Sequence, residues 1–223
     1  MLMRIPSLVL AAAFTVTAST SFAENVRIAF IDPLSGPFAP VGQNLFNSFK
    51  TIAELSNQKQ WGGQNTVEIV GFDNKGSPQE SLIQLKAAID QGYRYITQGN
   101  GSGVALALID AINKHNDRNP GKEVLFLNHS AGDPALTNSK CSFWHFRFDA
   151  NSEMKMESLT TFMAKDPKIK KIYIIGQNYA LGQEVSRSTR AYMGRKRPDV
   201  QIVGDDCLSL IHISEPTRQA EIS

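Results

Sequence analysis

Tyr93 to Lys114 reads YRYITQGNGSGVALALIDAINK. Tyr93 to Thr97 is a strand-like run with aromatic and β-branched residues. Gln98 to Gly103 (QGNGSG) is a glycine-broken turn, and Val104 to Lys114 is a helix. In open α/β sheets ligands sit beyond the carboxyl ends of the strands, so this turn is a place to look for function. The bare N–H groups at Gly101 to Gly103 and the Ser102 hydroxyl stand at a helix N-terminus, an arrangement that suits a carboxylate. The same glycines raise the question of a nucleotide loop. A G-x-G-x-x-G match needs glycine at 104, where Val104 stands, and no Gly-Lys-Ser/Thr sequence occurs anywhere in the chain.

The strand–helix rhythm continues on both sides. Val26 to Ile31 is a strand and Gln43 to Gln58 a helix with Leu45, Phe49, Ile52, Ala53 and Leu55 at helical spacing. Thr66 to Phe72 is a strand, and Ser77-Pro78-Gln79-Glu80 opens a helix with a capping box and a proline in its first position. Leu82, Leu85 and Ile89 are its expected buried stripe. Val124 to Leu127 is the next strand, and a second series follows Phe143 to Phe148. That series is a helix over Ser152 to Ala164, a strand over Lys171 to Ile175, a helix over Gly182 to Met193 and a strand over Val200 to Val203. Such alternation predicts an α/β fold with parallel sheets and helices on both faces. Asp149-Ala150-Asn151 is polar and aperiodic, and reads as the crossing from one α/β lobe to another, with Asn151 or Ser152 capping the next helix.

Residues 1–23 have the form of a secretory signal peptide: a basic start, an apolar run from Ile5 to Val16 too short to span a bilayer, and small residues at Ser21-Phe22-Ala23. The mature protein is expected to begin at Glu24 and to lie in the periplasm. At the other end, Leu208 to Arg218 (LSLIHISEPTR) resembles the translation of a transposase mosaic-end adapter used in sequencing libraries. Residues 207–223 are accordingly read as a spurious tail, with Cys207 in doubt. Lys and Arg total 23 against 21 Asp and Glu, a formal net charge of +2, which gives no electrostatic footprint for nucleic acid. Two cysteines make no disulfide framework.

Two further loops follow strands. Asp32 to Gly42 (DPLSGPFAPVG) is shaped by proline and glycine and presents Ser35, Phe38 and Val41. Asn128 to Gly132 (NHSAG) places Ser130, Ala131 and Gly132 at the same edge, although its polar side chains serve equally well to satisfy their own backbone. His115, His129, His145 and His212 share no metal-ligand spacing, and Ser102 and Ser130 lack the G-x-S-x-G elbow, so no metal, cofactor or catalytic residue is expected. Among the histidines only His129, at the loop edge, is kept as a ligand contact.

VRIAFIDPLSGPFAPVG, FDNKGSPQESL, SAGDPALT, FWHFRFDANSE and IYIIGQNYALGQE together resemble the leucine-binding family of type I periplasmic binding proteins, over Glu24 to Asp206. The resemblance implies two Rossmann-like lobes, residues 24–148 and a partial second lobe over 149–206, closing over an amino acid or related small acid. It also implies that Ser102 or Gly103 holds the ligand carboxylate. Ala131 and Gly132 stand where a carbonyl and a threonine hydroxyl contact the ligand, and Gly132 lacks that hydroxyl. Val41 and Leu181 stand where aromatic residues are common, with Phe38 and Tyr179 near enough to supply rings. The implied function is delivery of a branched-chain amino acid, or another small carboxylate, to the membrane permease of an ABC transporter, by a monomer. A ligand-sensing receptor of the same fold is the alternative, and an enzyme would need a reactive residue with an activating partner.

Overall fold

The computed structural model describes residues 23–208. Residues 1–22 of the expected leader and the tail beyond Leu208 lie outside them. The element order is β1 (Asn25–Asp32), α1 (Ala39–Gln58), β2 (Thr66–Asp73), α2 (Pro78–Asp90), β3 (Tyr95–Gln98), α3 (Ser102–Arg118), β4 (Leu125–Asn128) and β5 (His145–Arg147). There follow α4 (Ser152–Ala164), β6 (Lys171–Gln177), α5 (Ala180–Lys196) and β7 (Gln201–Leu208). The first five strands form one parallel sheet in the order β2-β1-β3-β4-β5, and β6 and β7 form a second parallel pair.

Right-handed crossovers dictate where the helices go. The chain leaves β1 toward β2 through α1, then doubles back over β1 to β3 through α2 and continues the same way through α3. So α1 covers one face, and α2 and α3 share the other. The side chains of β1 show both contacts. Ala29 and Ile31 point into the core with Leu85, Ala88, Leu108, Ile109 and Ile112, while Phe30, between them, packs with Ala53, Phe46 and Phe49 of α1. A strand buried on both faces reads as a continuous apolar run, as Val26 to Ile31 does.

Two of the helices clasp the strand that follows them with the same device. Asn116 of α3 donates through Nδ2 to Val124 O (2.9 Å) and accepts from Val124 N at Oδ1 (2.8 Å). Asn57 of α1 does the same with Val67 (2.9 and 2.8 Å). An asparagine amide offers a donor and an acceptor side by side, so it completes a strand residue's backbone as a neighbouring strand would.

The structure moves several sequence boundaries. Helix α1 begins at Ala39, so Val41 belongs to it and not to the loop. The buried stripe of α2 is Ser81, Leu85 and Ala88, and Leu82 is 41% exposed. Ser77 caps α2, accepting from Glu80 N, and Asn151, rather than Ser152, caps α4, accepting from Met154 N (2.7 Å). Strand β7 runs on past Val203 to Leu208, with Gly176 opposite Cys207 and Gln177 opposite Leu208. Both cysteines are free and exposed.

Removing the Asn116 clasp strands a buried backbone donor and acceptor at Val124, each worth about 1–3 kcal/mol when unpaired. Asn116→Leu is therefore expected to lower the urea-unfolding free energy by at least about 2 kcal/mol. Asn57→Leu should cost less, because Val67 is only half-buried and water can replace the amide.

Candidate functional site

The direction of the chain reverses between β1 and β3, and a crevice opens at the carboxyl ends of those two strands, where doubly wound sheets hold their ligands. It encloses about 260 Å3. Pro33 and Phe38 come from the loop after β1, and Gly76 and Pro78 from the start of α2. Asn100 to Val104 form the turn into α3, and Tyr179 and Ala180 face them from the start of α5. That volume lies below the range of about 300–1,000 Å3 usual for drug-sized ligands, so the space fits one small molecule.

Among the described residues no acidic or basic side chain lines this cleft. Its electrostatic character comes from α3, a 17-residue helix whose N-cap, Gly101, provides no side-chain cap. The N–H groups of Ser102, Gly103 and Val104 are thus left for a ligand, at the positive end of the helix dipole. Gly101 takes φ 91°, in the region that favours glycine, which lets the chain turn from β3 into α3 within a few residues. Ser102 is 4% exposed, and its Oγ accepts from Asp133 N (3.2 Å). A hydroxyl that accepts one bond still has its own proton to donate, and that proton suits an anion beside the helix end.

The opposite wall is aromatic. The ring of Tyr179 meets Phe38 edge-on at 6.5 Å with a 72° interplanar angle. Burial raises the Tyr179 phenol above its ordinary value, so it remains a neutral hydroxyl. The turn that carries Tyr179 is tied to β7, since Asn178 N donates to Leu208 O (2.9 Å).

The structure brings together Phe38, Gly101, Ser102, Gly103 and Tyr179, and separates the other residues singled out from sequence. Val41 lies on α1, 49% exposed, and does not line the cleft. Ser130, Ala131 and Gly132 do not line it either. Their loop is satisfied internally: Asn128 Oδ1 accepts from Ser130 N (3.1 Å) and Ala131 N (2.7 Å), and its Nδ2 donates to Ala131 O (3.0 Å). Gly132 lies under Leu181, and its carbonyl accepts from Ser152 N (2.9 Å). His129 is not a cleft residue. Its Nε2 is 2.8 Å from Asp32 Oδ2, and its ring stacks on Phe30 at 5.7 Å. Nδ1 is 3.1 Å from Ser130 Oγ. Asp, His and Ser thus stand in the order of a hydrolytic triad, but all three lie outside the cleft, and the Gly99 backbone lies against His129 and Ser130. His115 and His145 are engaged separately, with Lys122 O and Asn128 Nδ2. Among the described residues no group of three or more His, Cys, Asp or Glu could hold a metal ion, and no helix is long and apolar enough to cross a membrane.

Sequence reasoning missed Asn100, whose side chain is hidden beside the α3 terminus with Nδ2 unpartnered. It also missed Asp73. Burial raises the Asp73 carboxyl, but the hydrogen bond from the Ser35 hydroxyl (2.5 Å) and those from Lys75, Leu34 and Ser35 N–H outweigh it, and the net shift is downward. Ser35 therefore shapes the loop rather than meeting the ligand. The only sequence signal for this role was the position of Asp73 at the end of a strand.

Residues 25–217 match the periplasmic binding protein family, a match that runs past Cys207 into the adapter-like segment. Over 178 residues the chain is 38% identical to Leu/Ile/Val-binding protein homolog 4 of Brucella abortus, covering 78% of this chain and 42% of that protein. The leucine-, isoleucine-, valine-, threonine- and alanine-binding protein of Brucella ovis, in a closed conformation, is similar with a TM-score of 0.66 and 32% identity, over 84% of this chain and 48% of that one. A solute-binding protein of an R. palustris ABC transporter, in complex with benzoate, shares the fold at a TM-score of 0.70 and 20% identity, over 89% and 52%. The chain spans about half the length of these relatives, which are substrate-binding proteins and not enzymes.

The Asp73 hydrogen bonds make a pH prediction. Its folded value lies below that of the unfolded chain, so its stabilisation is complete above about pH 4 and is lost as pH falls through the folded value. The thermal midpoint of the wild type should therefore fall more steeply on acidification below about pH 4 than that of Asp73→Asn. Parallel curves would show that Asp73 contributes nothing to the acid limb.

Proposed function

Because this chain belongs to the periplasmic binding protein family, we propose that its cleft captures a small monocarboxylate with an apolar body, for delivery to the permease of an ABC transporter. The reading takes residues 24–148 as lobe one and the chain from 149 as the start of lobe two. It places the protein in the periplasm, exported by a signal peptide cleaved before Glu24, where it works as a monomer. A branched-chain amino acid is the first ligand to consider, in keeping with the names of the relatives; an aromatic acid is the second.

The observation that carries the proposal is the uncapped α3 N-terminus opening into an uncharged, largely apolar cleft. A carboxylate placed there exchanges its water for backbone N–H groups and the helix dipole, while Pro33, Phe38, Pro78 and Val104 surround the rest of the ligand. A dianion would leave its second charge among these apolar walls, at a cost that the single helix end does not offset. An amino acid also brings an ammonium group, and the residues lining the cleft offer it no carboxylate, only carbonyl and hydroxyl oxygens.

Isothermal calorimetry on the purified protein with L-leucine, L-isoleucine, L-valine, benzoate and 4-hydroxybenzoate tests this reading. At least one is expected to bind. A charge-assisted hydrogen bond contributes about 1.5–3 kcal/mol, so Ser102→Ala should weaken that ligand roughly ten- to hundredfold. The unfolding midpoint of the ligand-free variant reports separately on the Asp133 N–H that loses its acceptor. An affinity unchanged by Ser102→Ala would move the carboxylate site away from α3.

A further inference from the structure

We infer that Asp32 and His129 form a buried positioning pair that sets the α3 N-terminus for ligand capture, a role that rests on the proposed function. Neither residue touches the cleft. Asp32 ends β1 with no exposure at all. An isolated carboxylate in such a place is costly unless partners satisfy both oxygens. Here they do. Oδ1 accepts from Asn100 N at 3.0 Å and lies 3.5 Å from Gly99 N, while Oδ2 faces His129 Nε2 at 2.8 Å. A carboxylate only accepts, so Nε2 carries the proton in this contact.

The pair therefore joins the ends of β1, β3 and β4, and its purchase on the β3 loop is at Asn100. Gln98 Nε2 holds the carbonyl of the same residue at 2.6 Å. Between Asn100 and the first residue of α3 there is only Gly101, so a shift of Asn100 passes directly into Ser102 and Gly103. The imidazole is itself fixed, stacked on Phe30 and against Phe49 at 5.2 Å, with Nδ1 toward Ser130 Oγ. Gly99 completes the fit. A Cβ there would lie 2.3 Å from the His129 ring and from Ser130 Oγ, so the loop can descend onto the imidazole only with glycine at this position. A histidine at a loop edge thus serves the binding site from underneath, through the main chain of its neighbour.

Amide hydrogen exchange and calorimetry on the purified protein, with the same five ligands, test the pair. His129→Phe keeps the contact with Phe30 and Phe49 and removes the donor, while His129→Gln restores a donor. In His129→Phe, exchange at Asn100, whose N–H donates to Asp32, should rise at least tenfold more than at Ile69 and Leu85, which report on global opening. The ligand bound by the wild type should weaken at least tenfold. His129→Gln should recover both within about threefold of the wild type. If His129→Phe does not fold, His129→Leu is read in its place. A rise at Asn100 no larger than at Leu85, or an unchanged affinity beside a locally loosened loop, would overturn the inference. If the wild type binds none of the five, it is the proposed function that fails, and exchange at Asn100 still decides whether the pair holds the loop.

Discussion

A fully buried carboxylate at the end of β1 constrains everything built around it. Asp32 cannot be left unpaired, and its partners come from two loops at the ligand-facing edge of the sheet, Asn100 after β3 and His129 after β4. Its neighbour in register, Asp73 at the end of β2, does the same one strand over, gathering Leu34, Ser35 and Lys75. Loops after parallel strands have no partner strand to fix them, so their geometry depends on local hydrogen bonds. In this fold two strand-terminal carboxylates supply those bonds, and each uses its charge on the protein's own backbone. That is why acidic residues lie so near the cleft and yet none lines it.

The cleft is consequently a site of partial charges. Its attraction for anions comes from α3, and a helix end has a reach of about one turn. A carboxylate must come into contact to gain from it, while a more distant anion gains little. Selection then falls to shape, to Pro33, Phe38, Pro78 and Val104 on one side and Tyr179 on the other. Apolar walls discriminate weakly between similar bodies, at about 1–3 kcal/mol per methylene. Walls of this kind select for a class of shapes more readily than for one member of it.

Much of this was legible in the sequence, and the exceptions share a cause. The βα alternation, the capping role of Ser77 and the QGNGSG turn are local signals, and each holds in the structure with boundaries moved by a few residues. What failed depended on contacts distant along the chain. Helical spacing of the apolar residues points to Leu82 as core, but Ser81 turns inward on Ser77 O (2.7 Å) and the buried face follows it. Val41 was placed in a loop that is already the first turn of α1. His129 stands where a ligand contact is plausible, and only the partner 97 residues away shows that it faces the interior. The end of β7 was lost because Gly204, Asp205 and Asp206 are poor strand formers. They are held by Arg190, Ser186 and Tyr173, which no short window contains.

Those long-range contacts also govern how the two sheets meet. Besides the approach of α5 to α3, the two meet close to the cleft through Ser152 N on Gly132 O, Leu181 over Gly132, and Phe38 edge-on to Tyr179. The first ties the start of α4 to the loop after β4. The other two are apolar, exact no directional bond, and face the space that a ligand would occupy. A ligand seated on the α3 terminus would touch Tyr179 of the second sheet as well, and so would favour the arrangement seen here over any that separates the two. Tyr179 can deliver that preference because its turn is held from behind by Leu208 O, leaving the phenol free to face across the gap. The bonded loops of the first sheet and the pinned turn of the second thus hold both walls of the space across which Phe38 meets Tyr179.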